Sequence, residues 1–489
     1  MERIKQLIQN RLPPVSFLRN VVTLMTGTTF AQALLILASP ILTRLYSPEA
    51  FGVFALYLSV LGILTVAACW RYELAIVLPA KDEDAANLLV ISICICFGME
   101  ALILILAELF RNSIASLLGA PQLAPWLWFM PVSLIAAGLF TTFNYWSTRR
   151  KQFRRLAART ITQSTVTAAA QIGTGALYPA ASAGGLIGGA IVGQLTATGR
   201  LAWQIARDEG KQLRSAINKH NMKQMLIRYK DFPLYSSWSG LLNTASTMLP
   251  ALLLAYFFTP TVVGYYALGH RVLAMPMDVI GCSIAQVFFP RAIEAKHKGD
   301  LDRLTLDIFQ SLLAIGFVPF LLITIVAPDL FAVIFGARWW TAGEYVRWLS
   351  LWLLFVFVSS PLSTMYAVME RQRDGLIVDT IMFSARLLAL IIGGVKGDAL
   401  FTIALFGITG AILWIGNCTY IMHLAGIPAQ KAYITIIKQI IQGMPYALFP
   451  IVVWYASNNS LAFVLAGIGS GMIFLVVQVY HVKNKGALI

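Results

Sequence analysis

Apolar runs of roughly 18 to 25 residues recur along the whole length of this 489-residue chain. A soluble core does not need runs of that length. A helix crossing a bilayer does, because about 20 residues at 1.5 Å each are required to span about 30 Å of hydrocarbon. Inside hydrocarbon every backbone donor and acceptor must be satisfied within the segment itself, which leaves helices or a closed barrel. No series of alternating ten-residue strands is present. The expected fold class is therefore all-α: a polytopic membrane protein with about 14 transmembrane helices. The composition agrees, with 58% apolar and only 12% charged residues and a mean hydropathy of +0.73.

Spans are expected near 18–43, 51–73, 86–108, 126–147, 159–178, 184–206, 231–256, 262–290, 307–328, 345–369, 375–395, 399–424, 433–455 and 460–482. The net charge of +15 could point to nucleic acid, but its distribution does not. Outside the spans, Lys and Arg gather in the termini and in the loops after even-numbered spans. Only Arg44, Arg111, Arg338 and Lys396 fall in the opposite set. That asymmetry marks the basic side, with both termini, as cytoplasmic. The surplus is a topology signal with a contribution from anionic membrane lipids, and no nucleic-acid partner is expected. Cys69, Cys94, Cys96, Cys282 and Cys418 lie inside expected spans without metal or redox spacing and read as small buried hydrophobes.

A short motif occurs twice. Tyr46-Ser47-Pro48-Glu49-Ala50-Phe51-Gly52 is echoed 212 positions later by Phe258-Thr259-Pro260-Thr261-Val262-Val263-Gly264, each directly after a long apolar segment. Pro and Gly there end one helix and begin the next within a few residues. Basic turns after the fourth and tenth spans, Arg149–Arg155 and Glu370–Asp374, repeat as well. The expected organisation is an interfacial helix over 1–17, a six-helix lobe over 18–206, a basic linker over 207–230, a second parallel six-helix lobe over 231–424, and an appended helix pair with a tail over 425–489. The linker reads equally as a solvated loop or as an amphipathic helix on the membrane, with Leu213, Ile217, Met225 and Leu226 apolar. Gly184, Gly185, Gly188, Gly189 and Gly193 form a small-residue ridge suited to close helix packing. Arg338-Trp339-Trp340 reads as part of an interfacial belt.

No P-loop, HExxH, Gly-x-Ser-x-Gly elbow or nucleotide-binding domain is present, and neither a cofactor nor enzymatic activity is expected. The informative residues are charges within spans, each costing about 2.5–3.5 kcal/mol at a helix centre. Arg271 and Arg386 are the deepest basic candidates, and Arg71 lies nearer a span end. A guanidinium stays protonated and grips phosphate oxygens in pairs, so several Arg facing one lumen could hold a phosphorylated head group. Glu73, Glu100, Asp278 and Asp379 are candidates either for proton or cation exchange or for ion pairing with a neighbouring Arg.

Several segments resemble one family. They are Leu42-Thr43-Arg44-Leu45-Tyr46-Ser47-Pro48-Glu49-Ala50-Phe51-Gly52, Arg71-Tyr72-Glu73-Leu74-Ala75-Ile76-Val77-Leu78-Pro79, Gly264-Tyr265-Tyr266-Ala267-Leu268-Gly269-His270-Arg271, Gln286-Val287-Phe288-Phe289-Pro290-Arg291 and Phe335–Arg347. Together they are similar to the polysaccharide transporters, the O-antigen and lipid-linked-oligosaccharide flippases of the multidrug/oligosaccharidyl-lipid/polysaccharide exporter superfamily. The resemblance spans roughly residues 18–424. It implies a two-lobed bundle with alternating access that moves an undecaprenyl-pyrophosphate-linked glycan across a bacterial inner membrane. A polysaccharide polymerase and a chain-length regulator are the protein partners it implies. Arg44, Arg71, Glu73 and Arg271 fall in matching segments and carry over as site residues; Arg386 and Asp379 rest on burial alone.

Three other readings compete. A drug or metabolite antiporter of the same superfamily would carry deep carboxylates without surrounding Arg. A membrane polymerase or glycosyltransferase would need a sizeable polar loop on the side opposite the basic one. A membrane scaffold would have no reason to bury Arg. This chain is Arg-biased and its loops on that side are short.

Overall fold

The computed structural model describes residues 15–178 and 182–484, with side chains from Thr26 to Gln478 apart from several between 275 and 290. The interfacial helix expected over 1–17 lies almost wholly outside these residues. The long helices are α1 Val15–Leu45, α2 Pro48–Ala67, α3 Asp82–Leu117, α4 Met130–Arg149, α5 Phe153–Leu177, α6 Ala183–Ala216 and α7 Ser237–Phe257. They continue as α8 Pro260–Lys298, α9 Leu301–Phe335, α10 Trp340–Leu362, α11 Gln372–Lys396, α12 Ala399–Leu424, α13 Ala429–Ser457 and α14 Ser460–Asn484. No strand occurs among the described residues.

Among the described residues, ten of these helices, extended in places by adjoining turns, are long and apolar enough to cross a membrane. The count is eleven if Pro121–Leu127 and α4, bent by 58°, form one span. The long helices outside that set are α5, α6 and α8. For α5 and α6 the sequences explain it: α5 carries Arg159, Thr162, Gln163, Thr167 and Gln171, and α6 carries Gln194, Thr198 and Arg200, whereas α8 lies partly outside the described residues. A helix that faces a polar lumen sacrifices hydropathy along one stripe.

The repeated joint has the same local structure in both copies. Ser47 and Thr259 are extended N-cap residues, each followed by Pro at the first helical position. Ser47 Oγ accepts from Ala50 N at 3.2 Å, and the backbone N–H of Val262 donates to Thr259 O at 3.0 Å. Proline has no N–H to orphan at that position and its φ is already helical. The basic turns match too. Lys151 and Glu370 both take left-handed backbone, with φ of 56° and 58°. The next residue in each turn donates five positions back, Gln152 N to Ser147 O at 2.8 Å and Arg371 N to Tyr366 O at 2.7 Å. Helices α5 and α11 are equally long and lie 219 positions apart at both ends, as do the starts of α3 and α9. The joints are 212 apart, so seven extra residues, close to two helical turns, have entered α8 relative to α2 and the turn after it.

The chain packs as two compact units, Met1–Tyr256 and Phe257–Ile489. In the first, α5 packs against α1 and α6, while α4 packs against α3 and α6. Gly189 and Gly193 allow the α5–α6 approach. A Cβ at Gly189 would lie 2.5 Å from Gln171 Cγ, and one at Gly193 would overlap the Thr167 hydroxyl. In the second unit α10 packs against α8, α9 and α12, and the appended pair α13–α14 packs on α9. Trp339 is fully buried, edge-on to Tyr265 at 6.0 Å, so it belongs to this core and only Trp340 is exposed.

The segment 207–230 is helical. α6 runs on to Ala216, and Lys219–Arg228 forms a second helix capped by Asn218, whose Oδ1 accepts from His220 N at 2.8 Å. Met225 is buried in a cluster with Tyr72, Ile76, Leu88 and Trp146, so this helix docks on the first unit. Among the described cysteines Cys69, Cys96 and Cys418 are buried, whereas Cys94 is exposed.

Candidate functional site

A cavity of about 450 Å³ opens inside the first unit. Its apolar wall is Leu58, Leu61, Val66, Ala137 and Phe140; its polar wall is Arg71, Glu73, Arg159, Gln163, Gln194 and Thr244. The volume falls in the usual range for small-molecule sites.

Arg71 reaches the cavity because α2 stops at Ala67. Trp70 and Arg71 then adopt left-handed backbone, with φ of 48° and 62°, and start the single helical turn Tyr72–Ala75. Two consecutive non-glycine residues there cost about 1–3 kcal/mol each, and the surroundings must impose the conformation. They do: Ala75 and Ile76 are fully buried, and Tyr72 Oη donates to Leu226 O on the linker helix at 3.0 Å. On the other side, α7 presents Gly240 to the Arg71 guanidinium, where a Cβ would overlap it. The Nε of Arg71 is buried with no hydrogen-bond partner.

Glu73 follows on the same turn, outside the spanning helices, at 3% exposure. Its Oε2 is buried and unpartnered. Burial pushes its carboxyl up to about 7, while its own backbone N–H and the Arg71 guanidinium pull it down. The carboxyl is thus close to even protonation at neutral pH.

Arg159 is the most unusual residue in the wall. It is 6% exposed, its guanidinium carbon lies 3.4 Å from the Phe140 ring centroid, and its one hydrogen bond is a 3.5 Å contact from Nη2 to Thr198 Oγ1. Its Nε is unsatisfied. An aromatic face offers a cation about 2 kcal/mol when desolvated, less than the several kcal/mol that burying the charge costs. By contrast, Arg149, Arg150 and Arg155 in the adjoining basic turn are neutralised. Glu209, itself 6% exposed, accepts from Trp146 Nε1 at 2.9 Å, Arg150 Nε at 3.0 Å and Arg155 Nη1 at 3.0 Å. Asp82 takes Arg149 at 2.8 Å and Arg150 at 2.7 Å. Carboxylates are available nearby, yet among the described residues none is placed on Arg159.

The second unit holds a comparable arrangement. The guanidinium carbon of Arg386 on α11 lies 4.3 Å from the Trp352 ring and 4.6 Å from the Phe406 ring. Its Nε and the Trp352 Nε1 are buried without partners. His270 stacks on Tyr266 at 5.6 Å and sits 6.1 Å from Trp352. Arg159 and Arg386 therefore occupy corresponding helices, each against aromatic rings, with Arg386 about two turns further from the basic turn.

Of the residues singled out from sequence, Arg71 and Glu73 share the cavity wall. Arg44 is exposed at the end of α1 and donates to Pro40 O at 3.1 Å. Glu100 is half-buried on α3, Arg271 half-buried on α8, and Asp379 exposed on α11. Asp278 lies in α8, but its side chain is outside the described residues. Arg159, Gln163 and Gln194 escaped sequence reasoning. Arg159 adjoins a run of five basic residues, and neutral amides leave no charge signature. The available signal was the Arg159–Gln163 spacing of one turn on an unusually polar span.

A family model described as polysaccharide biosynthesis protein matches residues 41–344, more than half of the chain. No curated protein matches the sequence. Among solved structures, the lipid II flippase MurJ in an inward closed conformation is similar at a TM-score of 0.70 and 14% identity, covering 94% of this chain and 100% of that one. An inward-facing multidrug resistance MATE family transporter of the MOP superfamily is similar at 0.58 and 16%, covering 80% and 95%. An outward-facing one is similar at 0.52 and 15%, covering 84% and 96%. At these identities the likeness establishes the polytopic transporter fold.

Proposed function

Because this chain belongs to the polysaccharide biosynthesis protein family, we propose that it is a flippase for undecaprenyl-pyrophosphate-linked oligosaccharides, serving O-antigen or another surface polysaccharide. In this reading it works by alternating access in a bacterial inner membrane, with both termini cytoplasmic. The polymerase and chain-length regulator that consume such a substrate are its proposed partners.

The observation that carries the reading is Arg159, a buried guanidinium left without an anion beside a cavity that also holds Arg71. A lipid pyrophosphate supplies the missing charge. Each guanidinium offers paired N–H donors to its oxygens, and both stay charged throughout the cycle. The head group would otherwise face hydrocarbon; here it exchanges water for fixed donors while the prenyl chain remains in lipid. In the second unit Arg386, with its own unpartnered Nε, and Arg271 are the proposed cationic contacts.

Reconstituted proteoliposomes test this. The wild type should move a lipid-pyrophosphate-linked saccharide between leaflets, and Arg71→Ala and Arg159→Ala should each lose transport while remaining monodisperse. Full complementation of an export-deficient strain by either variant would refute the role. Glu73 favours a second reading, a drug or metabolite/cation antiporter, since its buried carboxyl oxygen is also unpartnered; transport of an organic cation in the same vesicles would select it.

A further inference from the structure

Helices α5 and α6 run antiparallel in a register fixed by their close contacts: Gln171 lies against Gly189, Thr167 against Gly193, and Arg159 reaches Thr198. One turn along α5 from Arg159 is Gln163, and one turn along α6 from Thr198 is Gln194. Both line the cavity, and neither side-chain amide has a hydrogen-bond partner among the described residues. Four residues of helix set Gln163 about 6 Å along α5 from Arg159.

The rest of the wall makes these amides distinctive. Thr65 and Thr141 also line the cavity, but their hydroxyls donate to Leu61 O at 2.7 Å and Gly138 O at 2.8 Å, so they offer the lumen lone pairs only. An amide offers two N–H donors and a carbonyl acceptor. Two such amides in one cavity wall can therefore both donate to and accept from the same hydroxyl-bearing ring. Both amides are half-buried and keep their donors and acceptors free for a ligand in the cavity.

We propose that Gln163 and Gln194 form a subsite for the sugar ring directly attached to the phosphate, one helical turn beyond the Arg159 guanidinium. This rests on the flippase reading above and adds to it which part of the glycan is read. That one-turn separation is about the reach from a phosphate to the first pyranose ring. With Arg159 on the phosphate, one helical turn to Gln163 confines what these amides read to the proximal sugar.

Binding of short-chain prenyl lipids to the purified full-length protein in nanodiscs tests the assignment. The probes are the bare prenyl pyrophosphate and the same lipid carrying one N-acetylhexosamine, one hexose or one 6-deoxyhexose. The wild type should bind at least one sugar-bearing lipid tenfold or more tighter than the bare pyrophosphate. Gln163→Leu combined with Gln194→Leu should abolish that preference and leave the bare pyrophosphate affinity within twofold, which also reports that the variant is folded. Gln163→Asn, retaining an amide, should change the ranking of the sugars. Arg159→Gln should weaken all four lipids together. Sugar preference retained in the double Leu variant, no sugar preference in the wild type, or equal loss of the bare pyrophosphate in the double variant would each overturn the subsite alone. Failure of the wild type to bind any of the four would overturn the flippase reading and the subsite with it.

Discussion

Replacing Arg159 by Met should make the protein more stable and less functional at once. The side chain is 6% exposed and has no carboxylate partner among the described residues. Burial of its charge costs several kcal/mol after relaxation. Against this stand the Phe140 face at 3.4 Å, worth about 2 kcal/mol, and a contact to Thr198 at 3.5 Å that is too long to add much. Methionine keeps the packing volume and removes the charge, so we expect a net gain of about 1–3 kcal/mol in the ligand-free protein. In nanodiscs that corresponds to a rise of a few degrees in the unfolding midpoint. Binding should move the other way. Two charge-assisted hydrogen bonds to phosphate at about 1.5–3 kcal/mol each make the expected loss of prenyl pyrophosphate affinity about 100-fold or more. Thermal unfolding monitored by intrinsic fluorescence, with and without the lipid, reads both. A variant that melts several degrees lower and still binds normally would show that the guanidinium is a packing element, and the reasoning would fail.

Three further expectations follow from the same unit. Glu73 holds its proton in the folded state up to about pH 7 against about 4.3 when unfolded. Its contribution to stability is full below the unfolded value and is lost as pH rises through 7, in all about 4 kcal/mol. Glu73→Gln should flatten that dependence in melting curves between pH 4.5 and 8, and an unchanged slope would remove Glu73 as its source. Glu209→Ala leaves Trp146 Nε1 unpaired and removes one of the two carboxylates held by Arg150 and by Arg155, which keep Asp82 and Asp208; it should destabilise by about 1–3 kcal/mol, and no measurable loss would mean that solvent replaces the carboxylate. Gly193→Val forces α5 and α6 apart and should lower yield of monodisperse protein sharply; normal recovery would contradict the tight register.

The helices were legible because each announces itself by an uninterrupted apolar run, and the joints because Ser-Pro and Thr-Pro place a cap and a pre-formed first turn. Arg71 and Glu73 were legible through the motif that contains them. The left-handed break at Trp70–Arg71 was not, since neither residue favours that conformation and only packing by Ile76, the linker helix and α7 imposes it. The helical linker was half-legible: its apolar residues were visible, but its docking depends on Tyr72, far away in sequence. Arg159 looked like one more member of a basic turn, although the carboxylates that neutralise its neighbours stop one turn short of it. Sequence can count charges, but which of them a fold leaves unanswered depends on where distant carboxylates end up.

The seven residues added to α8 have a consequence for engineering. Seven residues advance a helix by nearly two full turns, so an insertion of that size leaves the faces of everything downstream almost in phase. From there through α5 and α11, counterparts in the two copies are found by one offset, and α5 and α11 become interchangeable cassettes of equal length. Grafting the inward-facing residues of one onto the other would shift a cationic station by about two turns without altering a single loop. The duplication thus provides a ruler, marked in helical turns, for asking how the depth of a buried charge sets what a carrier will accept.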